Sequence, residues 1–169
     1  MTTRDLAPIV SHLCSELVQG VPGHGGGFVL NSGDVGLLRS LDGLSAADAS
    51  RSIDEGATVA AHAQHLRHGL ALMNRWAMEG GDPFADASWD EAWRTSVVDE
   101  ATWQEIRSGL RSEALRWLGA LGEPREVGDA ELTGMIASVV HLGYHLGAIR
   151  QIVKATRGPR EGTFTGPQA

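Results

Sequence analysis

Apolar residues recur every three or four positions along four long stretches of the chain, and no stretch alternates with period two. That spacing lines up one face of a helix. Residues 3–18 carry Leu6, Ile9, Val10, Leu13 and Leu17 with Cys14 beside them, Pro8 in the opening turns and Gly20 as the stop. Residues 58–78 start at a capping Thr58 and repeat Val59, Ala63, Leu66, Leu70, Met73 and Ala77. Residues 88–122 read as a third helix; its apolar content runs from Trp89, Trp93 and Val97 through Ile106, Leu110 and Leu115 to Trp117, Leu118 and Leu121. Tryptophans at helical spacing read as core. The last helix begins at Asp129 or Thr133 and runs to about residue 157. Between the first two, the segments 32–41 and 45–53 look like short helices, each with a serine able to cap. Glycine-rich 21–27 reads as a flexible loop, since it lacks the Lys-Ser/Thr ending of a phosphate-binding P-loop. Residues 80–86 form another loop. The pattern predicts an all-α four-helix bundle with extra short helices between helices one and two. It predicts one domain over residues 1–157 and a flexible tail over 158–169.

The histidines add chemistry to this pattern. His141 and His145 stand four residues apart, about 40° around a helix axis, so both imidazoles can reach one point. Val139, Val140, Leu142, Leu146, Ile149, Ile152 and Val153 flank them, and small residues fill much of the rest. A helix apolar on most of its circumference is expected to be largely buried. Buried imidazoles need partners, either a metal ion or backbone carbonyls and water. On the second helix His62, His65 and His68 step round by about 60° each. His62 flanks the apolar stripe, His68 faces away from it toward solvent, and periodicity favours His62 as the inward residue.

Composition narrows the partners. The 169 residues carry a formal charge of −7 and no cluster of Lys and Arg, which argues against nucleic acid or an anionic membrane. Cys14 is the only cysteine, so there is neither a disulfide framework nor a thiolate-rich metal site. No apolar stretch is expected to approach membrane-spanning length, and the expected location is cytoplasmic.

The stretch Thr58-Val-Ala-Ala-His-Ala-Gln-His-Leu66 resembles the helix-two signature of the DinB-like (YfiT-like) superfamily. His141-Leu-Gly-Tyr-His-Leu-Gly-Ala-Ile-Arg-Gln151 resembles its final-helix H-x-x-x-H motif, and residues 30–34 and 74–86 resemble connecting segments of some members. The resemblance covers most of the chain, to about Lys154. It implies a four-helix bundle holding a divalent metal, zinc or nickel foremost, on three histidines. Carried over, these are His65, His141 and His145. Resemblance and periodicity disagree on helix two, and His62 stays as a supporting or substitute candidate.

Three protein ligands leave an open coordination position. The family includes transferases and isomerases that use a low-molecular-weight thiol, and proteins described as metal-dependent hydrolases. The implied activity is therefore metal-dependent transfer or hydrolysis on a small molecule. Tyr144, Arg150, Gln151, Gln64 and Asn74 are candidates to support the site or touch substrate, and surface or packing positions otherwise. Glu79 and Glu131 lie too far along their helices to serve as a general base, which leaves Asp34 or Asp54, or a water on the metal. Two other functions fit the same residues. One is a metal- or ligand-binding stress-response bundle without turnover; the other is a structural bundle whose tryptophan-rich third helix supplies a homodimer surface.

Overall fold

Three heptad-like seams and one shorter stripe build the core of the chain, described here over residues 2–159 from a computed structural model. The helices are α1 (Ala7–Gln19), α2 (Gly36–Asp42), α3 (Ala46–Ala49), α4 (Val59–Glu79), α5 (Trp89–Trp93), α6 (Glu100–Gly122) and α7 (Asp129–Ile152), followed by a 3-10 turn, Lys154–Thr156. The described residues hold no strand, only a single bridge between Thr2 and Glu126. The fold is all-helical. Helix α1 packs on α6 and α7, and α4 packs on the same two, so the four long helices close a ring around one core.

The seam of α4 is the one read from sequence, buried from Val59 through Ala63, Leu66 and Leu70 to Met73. Thr58 caps it by accepting the Ala61 N–H. On α6 the seam is Trp103, Ile106, Leu110, Ala114, Trp117 and Leu121, started by Asp99, which accepts the Thr102 N–H. On α7 it is Met135, Val139, Leu142, Leu146 and Ile149.

Several expectations shift. The stripe of α1 is Ala7, Val10, Cys14, Leu17 and Val18, and Ile9 is 57% exposed, because α6 and α7 meet the helix one position round from the predicted face. The single helix expected over 88–122 is two, broken at 94–99. There β-branched Thr95, Val97 and Val98 precede the Asp99 cap and start a new helix rather than extend the old one. Helix α7 ends at Ile152 rather than near 157, where Val153 leaves helical backbone.

Nor is α7 buried all round. Ile136, Val140 and Tyr144 are 49%, 67% and 69% exposed, since α1 and α4 cover one side of the helix only. This 24-residue helix holds an 18-residue stretch of mean hydropathy 1.3 and is also long and apolar enough by composition to cross a membrane, contrary to the expectation above; here its seam packs into the protein core. Of the tail expected to be flexible, residues 160–169 lie outside the described residues; Pro159 accepts a hydrogen bond from the Asn31 side chain at 3.1 Å.

The connection that follows the glycine-rich segment is tied down by two buried carboxylates. Glu16 accepts the N–H groups of Phe28, Val29 and Leu30. Those bonds hold its carboxyl below the usual range although burial alone pushes the other way. Asp34 accepts the Gly36 N–H and forms a two-pronged ion pair with Arg150 of α7, at 2.8 and 2.7 Å. Gly20 and Gly36 lie back to back, both with positive φ; a Cβ on Gly36 would stand 2.4 Å from the Gly20 nitrogen.

Gly80 gives the contrast, with φ +70 and nothing within 4 Å of its would-be Cβ. Gly80→Ala is expected to cost about 2 kcal/mol through backbone strain alone, since φ 70 with ψ −154 is a region essentially confined to glycine. Gly36→Ala adds steric overlap and is expected to cost about 3 kcal/mol. Urea denaturation of the two variants checks the order.

Candidate metal centre

On α4 and α7 the histidines share a register. His62, His65, His141 and His145 each stand one residue before a seam position, respectively Ala63, Leu66, Leu142 and Leu146. One residue is 100° of rotation, so each imidazole leans off the seam toward the flank of the α4–α7 contact. There they meet. His141 Nε2 lies 3.0 Å from His65 Nε2 and 3.1 Å from His145 Nε2, while His145 Nδ1 lies 2.8 Å from His62 Nδ1. The structure thus brings together His65, His141 and His145, and adds His62, the residue favoured by periodicity. His62 and His65 both belong to one cluster, His65 through its contact with His141 and His62 through its contact with His145.

Aromatic rings enclose it. Trp93 stacks on His65 at 4.2 Å between centroids and 22° between planes, and meets His62 edge-on at 5.4 Å. Trp89 lies 5.6 Å from His65 and meets His68 edge-on at 5.4 Å. Tyr144 sets its ring against His145 at 5.0 Å while staying largely exposed. Both tryptophans were expected in the core of a long third helix; they are half-exposed rings of short α5 laid over the histidines. His68, expected in solvent, is half-buried under Trp89 with its Nε2 enclosed and without a hydrogen-bond partner. The β-branched residues Thr95, Val97 and Val98 before the capping Asp99 are the sequence signal for this break, which the single-helix reading missed.

Burial dominates the electrostatics. It pushes His145 down to about 3 and His65 down to about 4, with neighbouring histidines adding to the effect. Burial lowers His62 and His141 as well. No carboxylate contributes to any of the four. All four rings are therefore neutral at pH 7, the form that binds metal.

The donor set fits a divalent cation. One nitrogen from each of His65, His141 and His145 lies within 4.8 Å of the other two. Tetrahedral metal–nitrogen bonds of about 2.05 Å separate the nitrogens by about 3.4 Å, close to the spacings of 3.0 and 3.1 Å seen here. Ligation through Nε2 would place each ring's proton on Nδ1, and His145 Nδ1 already faces an acceptor in His62. His65 Nδ1 is enclosed without a partner.

The other candidates serve packing. Asn74 donates to the Glu113 carbonyl and carboxylate of α6 at 2.9 and 2.7 Å. Arg150 holds Asp34, which is thereby committed and is no general base. Asp54 sits exposed in left-handed backbone, φ 49. Gln151 is exposed and accepts from Arg157, and Gln64 is half-buried with its Oε1 enclosed and unpartnered. Cys14, with its thiol pushed up to about 12 by burial, is inert core.

Because the folded protein resists protonating His65 and His145 while the unfolded chain takes up protons near pH 6.5, the metal-free protein is expected to lose stability as pH falls from 6.5 toward 4. Denaturant titrations at several pH values measure this, and His145→Leu is expected to flatten the slope. No protein-family model, curated protein or solved structure matches this chain.

Proposed function

We propose that the chain is a divalent-metal protein of the DinB-like four-helix-bundle type, acting as a metal-dependent transferase or hydrolase on a small molecule. His65, His141 and His145 are its ligands, and zinc or nickel is its metal. The observation that supports this is the convergence of three neutral imidazole nitrogens at one point. Three ligands leave a position for substrate, and a bound divalent ion there supplies a Lewis acid able to polarise a carbonyl or lower the pKa of a thiol. A low-molecular-weight thiol is the co-substrate this reading favours. His62 positions the site by holding the His145 ring through its Nδ1. Trp93 fixes the plane of His65 by stacking and keeps water off it. His141, the exposed member, faces the approach to the site.

A second reading, metal or ligand binding without turnover, is favoured by one observation. No carboxylate hydrogen-bonds any histidine of the cluster among the described residues.

Elemental analysis of the purified protein is expected to find one divalent metal per chain. His65→Ala and His145→Ala are expected to lose it. His62→Ala is expected to keep the stoichiometry but bind 10- to 100-fold more weakly, about the usual effect of removing a ligand's hydrogen-bond partner. A protein that takes up neither zinc nor nickel would sink the metal reading. Metal-dependent turnover on a panel of thiols and electrophiles would favour the enzyme over the binding module.

A further inference from the structure

A cavity of about 290 Å³ opens beside the histidines, between α4 and α7 and under the segment that leads into α5. Its walls are Leu66, Leu70, Met73 and Leu142, with the rings of Phe84 and Trp89 over them and His141 at one side. Phe84 and Trp89 stack at 6.3 Å and 13°, so the roof is flat. Small residues on the two facing helices make the space: Gly69 on α4, and Gly134, Ala137 and Ser138 on α7. A Cβ at Gly134 would stand 2.6 Å from the Trp76 ring, whereas one at Gly69 meets only Trp89 at 3.9 Å. Glycine inside a helix costs about 1 kcal/mol against alanine, and sterics do not forbid alanine at 69. Gly69 thus leaves unfilled a volume that a side chain could occupy.

The cavity has almost no polar surface to offer. The Ser138 hydroxyl accepts from Trp117 Nε1 at 2.9 Å and donates to the Met135 carbonyl at 2.7 Å. That leaves the His141 ring, itself one of the three converging donors, as the polar side chain that connects cavity and site. An apolar ligand body fits there without stranding a buried polar group. The charge at the site sets the head of the ligand. Three neutral imidazoles leave a divalent ion its full positive charge, and among the described residues no carboxylate hydrogen-bonds them to offset it.

Resting on the metal reading above, we propose that the site takes a small monoanionic molecule with an uncharged, apolar, preferably flat body. The body lies in the α4–α7 cavity and the anionic head lies at His65, His141 and His145. The cavity volume, approaching that of small-ligand pockets, holds a single substituted ring rather than an extended chain. Recognition is by apolar burial of the body, and nothing in the walls selects a polar substituent on it.

The test uses cobalt(II)-loaded protein, whose visible spectrum reports what reaches the open coordination position, titrated with phenylacetate and with acetate. Phenylacetate is expected to change the spectrum at a concentration at least tenfold lower than acetate. Gly69→Leu and Ala137→Leu fill the cavity from opposite walls, and Ala137 is exposed enough that its variant is expected to fold regardless. Both are expected to cut the preference to threefold or less with cobalt still at one per chain. Equal affinities for the two probes, or a preference unchanged in both variants, would overturn the proposal while leaving the metal site standing. A preference that fades as protein concentration rises would assign the cavity to a second copy of the chain and would equally overturn it. Failure to take up cobalt is a different result: it removes the metal reading and this inference with it.

Discussion

Everything at the candidate site depends on keeping four imidazoles uncharged and in contact with one another between two helices. Burial makes protonation costly, pushing His145 to about 3 and His65 to about 4. With no carboxylate bonded to them among the described residues, the ring nitrogens have each other as partners, at 2.8 to 3.1 Å. Such a cluster is costly in a core unless something uses the converging lone pairs, and a cation does so directly. The histidine geometry is inseparable from core packing. Each ring stands one residue before a seam position, so a one-residue change in how α4 or α7 meets its neighbours would turn the rings by 100° and scatter them.

The roof over the cluster is held from both ends. Thr58, the cap of α4, donates its hydroxyl to the Ser96 carbonyl, and Ser50 accepts the Val98 N–H, which fixes the chain just after α5. Before α5, Arg75 donates to the Pro83 carbonyl, and the Phe84 ring meets both Trp76 and Trp89. Trp89 and Trp93 are thereby laid against the histidines by a short helix that could not hold them there by its own propensity.

The buried carboxylates belong to the frame. Glu16 organises the turn at Phe28–Leu30, and Asp34 joins the loop before α2 to Arg150 at the end of α7. These carboxylates fix where the helices begin and end. Neither of them hydrogen-bonds a histidine of the cluster.

The apolar spacing of the chain by itself determined the long helices, the Thr58 start of α4 and the α4 seam, because period and capping are local properties. The i, i+4 pair His141 and His145 was equally legible, since helix geometry alone converges them. What decided the rest was tertiary. Which side of α1 faces inward followed from where α6 and α7 lie, and half of α7 stayed exposed because no described helix packs there. Trp89 and Trp93 left the core for the histidines because the chain breaks at 94–99, a choice made by the Asp99 cap and the contacts of Ser96 and Val98. His62 and His65 could not be ranked along one helix. Only the α7 rings, arriving from 76 and 83 residues away in sequence, assign one to the converging nitrogens and the other to the ring behind them. Spacing along a helix fixes direction, and only packing between helices fixes distance.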